Sequence, residues 1–160
     1  MEKDVKLPDN TNWFMIDGTP KFGTKNFVPG NRVYGEQLHS DSNDEYRIWD
    51  PHRSKLAASL LKGIGSIPFY EGSNILYLGP STGTTASHIS DIISESGILF
   101  CVEISQRVSR DFIDNVASLR SNIITIIADA RDHNSYTSIF KIIDCVYCDI
   151  AQPDQTLIAI

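Results

Sequence analysis

From residue 74 onward, short apolar runs alternate with amphipathic segments, and this alternation restricts the fold more than any other feature of the sequence. The apolar runs have the length of buried strands, whereas the segments between them repeat their apolar residues at helical spacing. We predict strands at 74–79, 98–104, 123–128 and 142–148, and helices at 84–93 and 106–119. Strands that alternate with helices form a parallel sheet covered by those helices. The sequence therefore predicts an α/β fold.

The first of these strands ends in a loop that contains Gly79 and Gly83 and continues into Thr84 and Thr85. Glycines let backbone N–H groups approach a ligand closely, and the following helix directs its positive end to the same place. The spacing matches neither the dinucleotide fingerprint G-x-G-x-x-G nor the phosphate loop G-x-x-x-x-G-K-[ST]. Taken alone, the loop favours an ordinary turn between a strand and a helix.

Three of the predicted strands end in an acidic residue, namely Glu103, Asp129 and Asp149. Ligands of open α/β sheets bind beyond the carboxyl ends of the strands, so we expect the three carboxylates on one rim with the glycine loop. Glu103 follows the loop by about 20 residues, where nucleotide-binding folds place an acid that binds ribose hydroxyls. The pattern indicates a nucleotide-like ligand.

The first 46 residues are polar and contain many turn signals. We predict short antiparallel strands at 12–16, 25–28 and 32–34, and a solvated loop at 39–45. The expected organisation is a small β-rich domain at 1–46 and a second domain at 47–160.

A further helix is predicted before the first parallel strand, with Asp50 as its cap, Pro51 as its first residue and Gly63 at its end. Arg53 and Lys55 would then lie in the first turn, where the helix dipole disfavours a cation by roughly 0.3 to 1 kcal/mol. Helix stability does not account for these two residues. We expect Arg53 to face solvent, and for Lys55 the pattern leaves solvent exposure and a functional role open.

Several other residues have ordinary structural interpretations. His88 and His133 are expected at the surface or as helix caps, and no metal-ligand spacing includes them. Arg120 is assigned to a solvated helix face together with Arg107, Arg110 and Asp114. The three cysteines suit buried thiols in a reducing compartment, and Cys145 and Cys148 would point to opposite faces of a strand.

Charge and hydropathy exclude some classes of protein. The net charge is −6, with nine Lys/Arg against nine Asp/Glu in residues 1–62 and five against eleven in residues 63–160. The whole negative excess is therefore in the C-terminal part, which would bind RNA poorly by electrostatic attraction alone and would need a partner or guide. There is no run of about 20 apolar residues and no apolar signal sequence at the start, so we expect a cytoplasmic protein without a membrane partner.

Three longer motifs carry a resemblance to a known family. They are R-S-K-L-A-A at 53–58, L-Y-L-G with G-T-T at 76–85, and A-Q-P-D-Q at 151–155. Together they resemble fibrillarins, the S-adenosylmethionine-dependent ribose 2′-O-methyltransferases of box C/D ribonucleoproteins. The resemblance implies a Rossmann-like methyltransferase fold with an incomplete parallel-sheet sandwich, preceded by a small β-rich N-terminal domain.

The resemblance also implies roles for individual residues. Lys55 and Asp149 match the first two members of the family's Lys-Asp-Lys-His catalytic tetrad. Positions implied to bind S-adenosylmethionine are Gly79, Gly83, Thr84, Thr85, Glu103, Ile104, Asp129, Ala130, Asp149, Ile150, Ala151 and Gln152. Residues 103–104 would contact the ribose, 129–130 the adenine and 149–152 the methionine moiety.

The function implied by the resemblance is guide-RNA-directed methylation of rRNA and tRNA. The implied partners are a box C/D guide RNA, the RNA substrate, a Nop-family scaffold protein and a kink-turn-binding protein. Because the family places the other two tetrad members beyond residue 160, the sequence is expected to be C-terminally truncated. Two alternatives stay open, namely a non-catalytic subunit that binds cofactor or scaffold and a methyltransferase acting on a protein glutamine.

Overall fold

The computed structural model describes residues 7–64, 66–140 and 142–159, which form two four-stranded sheets and the helices around them. The antiparallel sheet consists of β1 (Thr11–Ile16), β2 (Thr19–Lys25), β3 (Leu38–Asp41) and β4 (Asp44–Ile48) in the order β1-β2-β4-β3. The parallel sheet consists of β5 (Asn74–Leu78), β6 (Ile98–Glu103), β7 (Ile123–Ile127) and β8 (Cys145–Cys148) in the order β7-β6-β5-β8. The helices are α1 (Lys55–Leu61), α2 (Thr84–Ile93), α3 (Gln106–Asn115) and α4 (Gln155–Ala159).

The parallel sheet confirms the α/β fold predicted from the alternating pattern. All three pairings within this sheet are parallel, and the central strand β5 pairs with both β6 and β8. Helix α2 has the predicted bounds, and its residues Ile89, Ile92 and Ile93 are fully buried with the β5 residue Ile75. Helix α3 ends at Asn115, earlier than predicted, and Leu119 in the following turn is exposed. Ile113, which lies within the helix, is also exposed rather than buried as predicted.

The N-terminal sheet was predicted only in part. Strand β1 lies where expected, but the strands predicted at 25–28 and 32–34 are wrong, and the predicted loop at 39–45 is largely the β3–β4 hairpin. Asp17 and Gly18 have positive φ angles and make the tight turn between β1 and β2, which is a typical hairpin sequence. The division into domains at 1–46 and 47–160 stays a proposal, and β4 extends to Ile48.

A buried ionic cluster joins the two sheets through α2. Arg47 on β4 donates from Nε to Glu36 at 2.6 Å and from Nη1 to Asp91 at 2.9 Å, with all three side chains fully buried. Arg120 donates from Nη1 to the other Asp91 oxygen at 2.6 Å. The prediction that Arg120 faces solvent is therefore wrong. After α3, a short 3₁₀ turn at Ala117–Leu119 precedes Arg120, whose side chain reaches the buried carboxylate on α2.

His88 also lies in this cluster, so its prediction as a surface or capping residue is wrong. The ring is fully buried, with Nδ1 2.7 Å from Thr24 Oγ1 and Nε2 2.8 Å from the Tyr34 hydroxyl. The Thr24 hydroxyl donates its only proton to Asp91. The His88 Nδ1 must therefore donate to Thr24, and Nε2 accepts from Tyr34, which defines a neutral imidazole.

Burial lowers the pKa of His88 well below its ordinary value, and the positive charges of Arg47 and Arg120 act in the same direction. The unfolded chain binds a proton at this residue below about pH 6.5, whereas the folded chain does not, so stability rises with pH in this range. We expect the free energy of unfolding to fall below about pH 6.5 by up to about 1.4 kcal/mol per pH unit. Denaturant titrations at several pH values measure this slope, and His88→Gln should lose the one-proton contribution. An unchanged slope in the variant would contradict the assignment of this pH dependence to His88.

The three cysteines differ in how far they are buried. Cys101 is buried, Cys145 and Cys148 are half-buried, and all three are free thiols. Among the helices that the structure describes, none has the length and apolar character needed to cross a membrane.

Candidate functional site

The carboxyl ends of the parallel strands surround a cleft of about 300 Å³. Each predicted acid lies in its wall, because Glu103 ends β6, Asp129 follows β7 and Asp149 follows β8. The predicted positions that line the cleft are Gly79, Glu103, Ile104, Asp129, Ala130, Asp149, Ile150, Ala151 and Gln152. The sheet thus brings together residues that are far apart in the sequence.

Two of the acids have oxygens available to a ligand. Glu103 Oε1 accepts the Ser105 backbone N–H at 3.0 Å, and Asp129 Oδ1 accepts that of Arg131 at 2.9 Å. The second oxygen of each carboxylate has no hydrogen-bond donor among the residues that the structure describes. Local backbone contacts therefore orient both side chains and leave acceptors for hydroxyl or amino groups.

Gly79 directly follows β5 and lies close to the end of β8. Its φ angle is +80°, and a Cβ atom there would lie 3.0 Å from the Asp149 carbonyl oxygen and 3.2 Å from Ile150 Cγ1. Only glycine combines this backbone conformation with this approach.

Replacing Gly79 by alanine should therefore cost more stability than the left-handed conformation alone, which accounts for about 1 to 2 kcal/mol. Gly18→Ala is the matched control, since Gly18 has a φ angle of +72° and a Cβ atom there would meet nothing within 4 Å. Urea denaturation of both variants measures the difference. Equal losses of unfolding free energy would contradict a steric role for the Asp149 carbonyl.

The remaining predicted cofactor positions do not line the cleft. Gly83 caps α2 with a φ angle of +94°, and a Cβ atom there would lie 2.5 Å from Phe112 Cδ2, so this glycine allows α2 to pack on α3. Thr84 is half-buried at the start of α2. Thr85 is buried and donates its hydroxyl proton to Ser54 Oγ at 2.9 Å.

Ser54, rather than Asp50, caps α1, so the predicted start of this helix is wrong. Its Oγ accepts the Ala57 N–H, whereas Asp50–Arg53 form a turn in which the Asp50 carbonyl accepts the Arg53 N–H. Because Ser54 is bound to Thr85, the glycine loop and the start of α1 are fixed relative to each other. The sequence could have predicted this cap, since serine is a preferred N-cap residue.

Lys55 is the first residue of α1, and its Nζ donates to Asp149 Oδ1 at 2.5 Å. The Lys55 side chain is 82% exposed, whereas that of Asp149 is 22% exposed. The Asp149 backbone N–H donates to the Leu78 carbonyl at 3.0 Å, which holds this carboxylate at the end of the sheet. A solvent-accessible ammonium and carboxylate thus meet at the edge of the cleft.

The family model for fibrillarin matches residues 7–160. The chain belongs to the fibrillarin family. A fibrillarin-like rRNA/tRNA 2′-O-methyltransferase from Pyrobaculum aerophilum is 50% identical over 143 residues, which is 89% of this chain and 61% of that protein. The chain therefore spans about three fifths of the length of the curated fibrillarin relatives that it matches.

Solved fibrillarin structures have the same fold. Aeropyrum pernix fibrillarin in complex with natively bound S-adenosylmethionine superimposes with a TM-score of 0.91 at 44% identity, over 96% of this chain and 66% of that one. A fibrillarin/Nop5p complex gives a TM-score of 0.77 at 34% identity, over 97% and 68%. These neighbours agree with the predicted Rossmann-like fold and β-rich N-terminal sheet.

Sequence reasoning missed five residues that line the cleft of this fibrillarin domain, namely Ser81, Val102, Ala128, Arg131 and Ile158. Ile158 lies on α4 and is 5% exposed, and its carbonyl oxygen is 3.0 Å from His133 Nε2. The apolar residue that soon follows the 151–155 motif could have indicated that Ile158 is buried near the cleft. Nothing in the sequence indicated that Ser81, whose φ angle is +54°, would line the cleft.

Proposed function

We propose that this chain provides the cofactor site and half of the catalytic tetrad of an S-adenosylmethionine-dependent RNA ribose 2′-O-methyltransferase. The observation that carries the proposal is the ion pair between Lys55 and Asp149 at the edge of a cleft lined by Glu103 and Asp129. The named activity of the 50% identical relative supports it. Rossmann-like folds bind their ligands at this end of the sheet.

The residues of the cleft fit S-adenosylmethionine. The free oxygen of Glu103 suits the ribose hydroxyls, and that of Asp129 suits the adenine amino group, with Ala130 and Ile158 as apolar neighbours. Gly79 keeps the cleft open near residues 149–152, where the methionine moiety would lie. When bound, the cofactor would supply an electrophilic methyl group.

Lys55 and Asp149 would act on the 2′-hydroxyl of the RNA. The Asp149 carboxylate would accept a hydrogen bond from this hydroxyl, orient its lone pair and take up its proton as the oxygen acts as a nucleophile, and the Lys55 ammonium would stabilise the negative charge that develops on the oxygen. Positioning is expected to contribute most, because a correctly oriented hydroxyl reacts in an effectively unimolecular step.

We also propose that RNA binding is shared with partners. With five basic against eleven acidic residues in 63–160, this part of the chain attracts phosphate weakly. A box C/D guide RNA, a Nop-family scaffold and a kink-turn-binding protein would place rRNA and tRNA substrates at Lys55 in a cytoplasmic particle. The fibrillarin/Nop5p complex of a relative supports the scaffold assignment.

Calorimetric titration of S-adenosylmethionine into the chain tests the cofactor assignment. We expect one binding site, and we expect Glu103→Gln to weaken binding by about tenfold because a charged acceptor of two hydroxyls is lost. Glu95→Gln is the matched control, since Glu95 is exposed and outside the cleft. Absence of binding, or equal effects of both substitutions, would contradict the proposal.

A further inference from the structure

The Lys55 ammonium has little support from side chains around it. The Lys55 side chain is 82% exposed, and among the residues that the structure describes its Nζ donates a hydrogen bond only to Asp149. A lysine side chain is long and flexible, so an exposed one samples many conformations. The direction in which the side chain leaves the backbone therefore decides how often the ammonium lies at Asp149.

That backbone direction is set by the start of α1, because Lys55 is its first residue. The Ser54 hydroxyl oxygen accepts the Ala57 N–H at 3.3 Å, and the Ser54 carbonyl oxygen accepts the Ala58 N–H at 3.0 Å. Helix α1 has seven residues, and the sequence of its first turn, K-L-A-A, contains no acidic residue that would favour the positive helix end. A side-chain cap matters most in such a short helix, whose end otherwise frays.

A second helix fixes the Ser54 hydroxyl. Thr85 is the second residue of α2 and donates its hydroxyl proton to Ser54 Oγ at 2.9 Å. Ser54 is 4% exposed and Thr85 is 6% exposed, so water competes little for this hydrogen bond. Removing either hydroxyl would leave a buried polar group of the other residue without its partner. The bond therefore fixes the first turn of α1 to the start of α2.

The other member of the ion pair is held by the strand that leads into α2. The Asp149 backbone N–H donates to the carbonyl of Leu78, the last residue of β5, at 3.0 Å. The glycine loop joins the same strand to α2. Asp149 is therefore positioned by β5 directly. Lys55 is positioned from the same strand through the bond between Thr85 and Ser54.

The two hydroxyls are suited to positioning rather than to direct chemistry. Neither residue lines the cleft at the carboxyl ends of the parallel strands. The Thr85 hydroxyl has a single proton, which it donates to Ser54, and the Ser54 oxygen accepts both this proton and the Ala57 N–H. A buried oxygen that already accepts two hydrogen bonds is a poor nucleophile or base.

We propose that Ser54 is a positioning residue for methyl transfer, which keeps the Lys55 ammonium at Asp149, and that Thr85 holds Ser54 in place. The inference rests on the proposed function for the role of Lys55. A displacement of a reacting group by about 1 Å can reduce a rate by about 100-fold. Losing the cap while the body of α1 stays packed on the core should cost less than this.

The kinetic test uses the complete gene product in an assembled particle with guide RNA. Ser54→Ala and Thr85→Val should each lower the single-turnover rate of methylation at saturating RNA and cofactor by about tenfold. The RNA concentration that gives half of this rate, and the affinity for S-adenosylmethionine, should stay within about twofold. Ser54→Thr and Thr85→Ser keep the hydroxyls and should recover the rate to within about threefold of the unmodified particle.

A double substitution separates positioning from a general loss of structure. Once Lys55→Ala has removed the positioned group, adding Ser54→Ala should lower the rate by less than about twofold. Ser73→Ala is the matched control, because Ser73 is a fully buried serine that directly precedes β5, and its Oγ accepts the Tyr70 N–H at 3.2 Å. This control lies at the end of the strand opposite the cleft and should keep the full rate.

Three kinetic results would overturn the inference. They are an unchanged rate in Ser54→Ala, a further tenfold loss when it is added to Lys55→Ala, and a Thr85→Val variant that binds cofactor weakly but reaches the normal rate at saturation. The last result would make Thr85 a cofactor-binding residue only.

A measurement without methyl transfer distinguishes this inference from the proposed function. In the complete gene product with isotope-labelled lysine, the Cε resonance of Lys55 should shift on Asp149→Asn, because the ion pair is lost. The same shift should be largely absent in a Ser54→Ala background, where the ammonium no longer stays at Asp149. A full shift in that background would overturn the inference. Loss of the shift without methylation by the unmodified particle would support the positioning role and contradict the proposed function alone.

Discussion

Asp91→Ala is expected to lower the free energy of unfolding by about 3 to 5 kcal/mol, because it leaves two buried arginines without their shared counter-ion. Asp91 accepts from Arg47 at 2.9 Å and from Arg120 at 2.6 Å, and it also accepts the Thr24 hydroxyl. Removing one partner of a buried ionic cluster costs far more than removing an exposed charge. Since β4, α2 and the segment around Arg120 meet here, the loss should affect both sheets.

Chemical denaturation followed by far-ultraviolet circular dichroism measures this change. The matched control is Asp114→Ala, which removes a carboxylate from the exposed face of α3 and should change stability by less than about 0.5 kcal/mol. If Asp91→Ala were no more destabilising than the control, the cluster would not hold the two sheets together.

Lys55→Ala should lower the kcat for RNA methylation by about 100-fold or more, which is the contribution expected of a group that stabilises charge developing on the attacking oxygen. The Lys55 side chain is 82% exposed and its ammonium contacts Asp149, so folding should be unaffected. Single-turnover methylation in the assembled particle measures the rate, and calorimetry should show unchanged affinity for S-adenosylmethionine.

Lys62→Ala is the control for this substitution, because Lys62 is an exposed lysine at the other end of the same helix. It should retain the full rate. Normal methylation by Lys55→Ala would remove Lys55 from the catalytic set and leave its contact with Asp149 as a surface ion pair.

The parallel sheet was predictable because its physical signal is local. Each apolar run and each amphipathic helix lies within about ten residues, and the strand ends placed Glu103, Asp129 and Asp149 on one rim. The N-terminal sheet was harder to predict, since Pro20 and Gly23 lie inside β2 although proline and glycine are typical turn signals. The Asp17-Gly18 pair was the better signal.

The buried cluster was not predictable by the same reasoning. Arg47 and Asp91 are 44 residues apart in the sequence, and nothing local distinguishes them from solvent-exposed charges. Lys55 and Asp149 are 94 residues apart, and their pairing was implied only by the family resemblance. The cofactor role of Thr85 was likewise implied only by the resemblance and stays a prediction, and in the structure its hydroxyl donates to Ser54.

Methyl transfer to a defined ribose tests the central proposal most directly. A particle assembled with the complete gene product receives radiolabelled S-adenosylmethionine, a guide RNA and two matched substrates, one of which has 2′-deoxyribose at the target position. We predict label in the ribose substrate alone, with a primer-extension stop at that single nucleotide. Label in the deoxyribose substrate, in a base or in a protein glutamine, or no transfer to RNA at all, would contradict ribose 2′-O-methylation at Lys55 and Asp149.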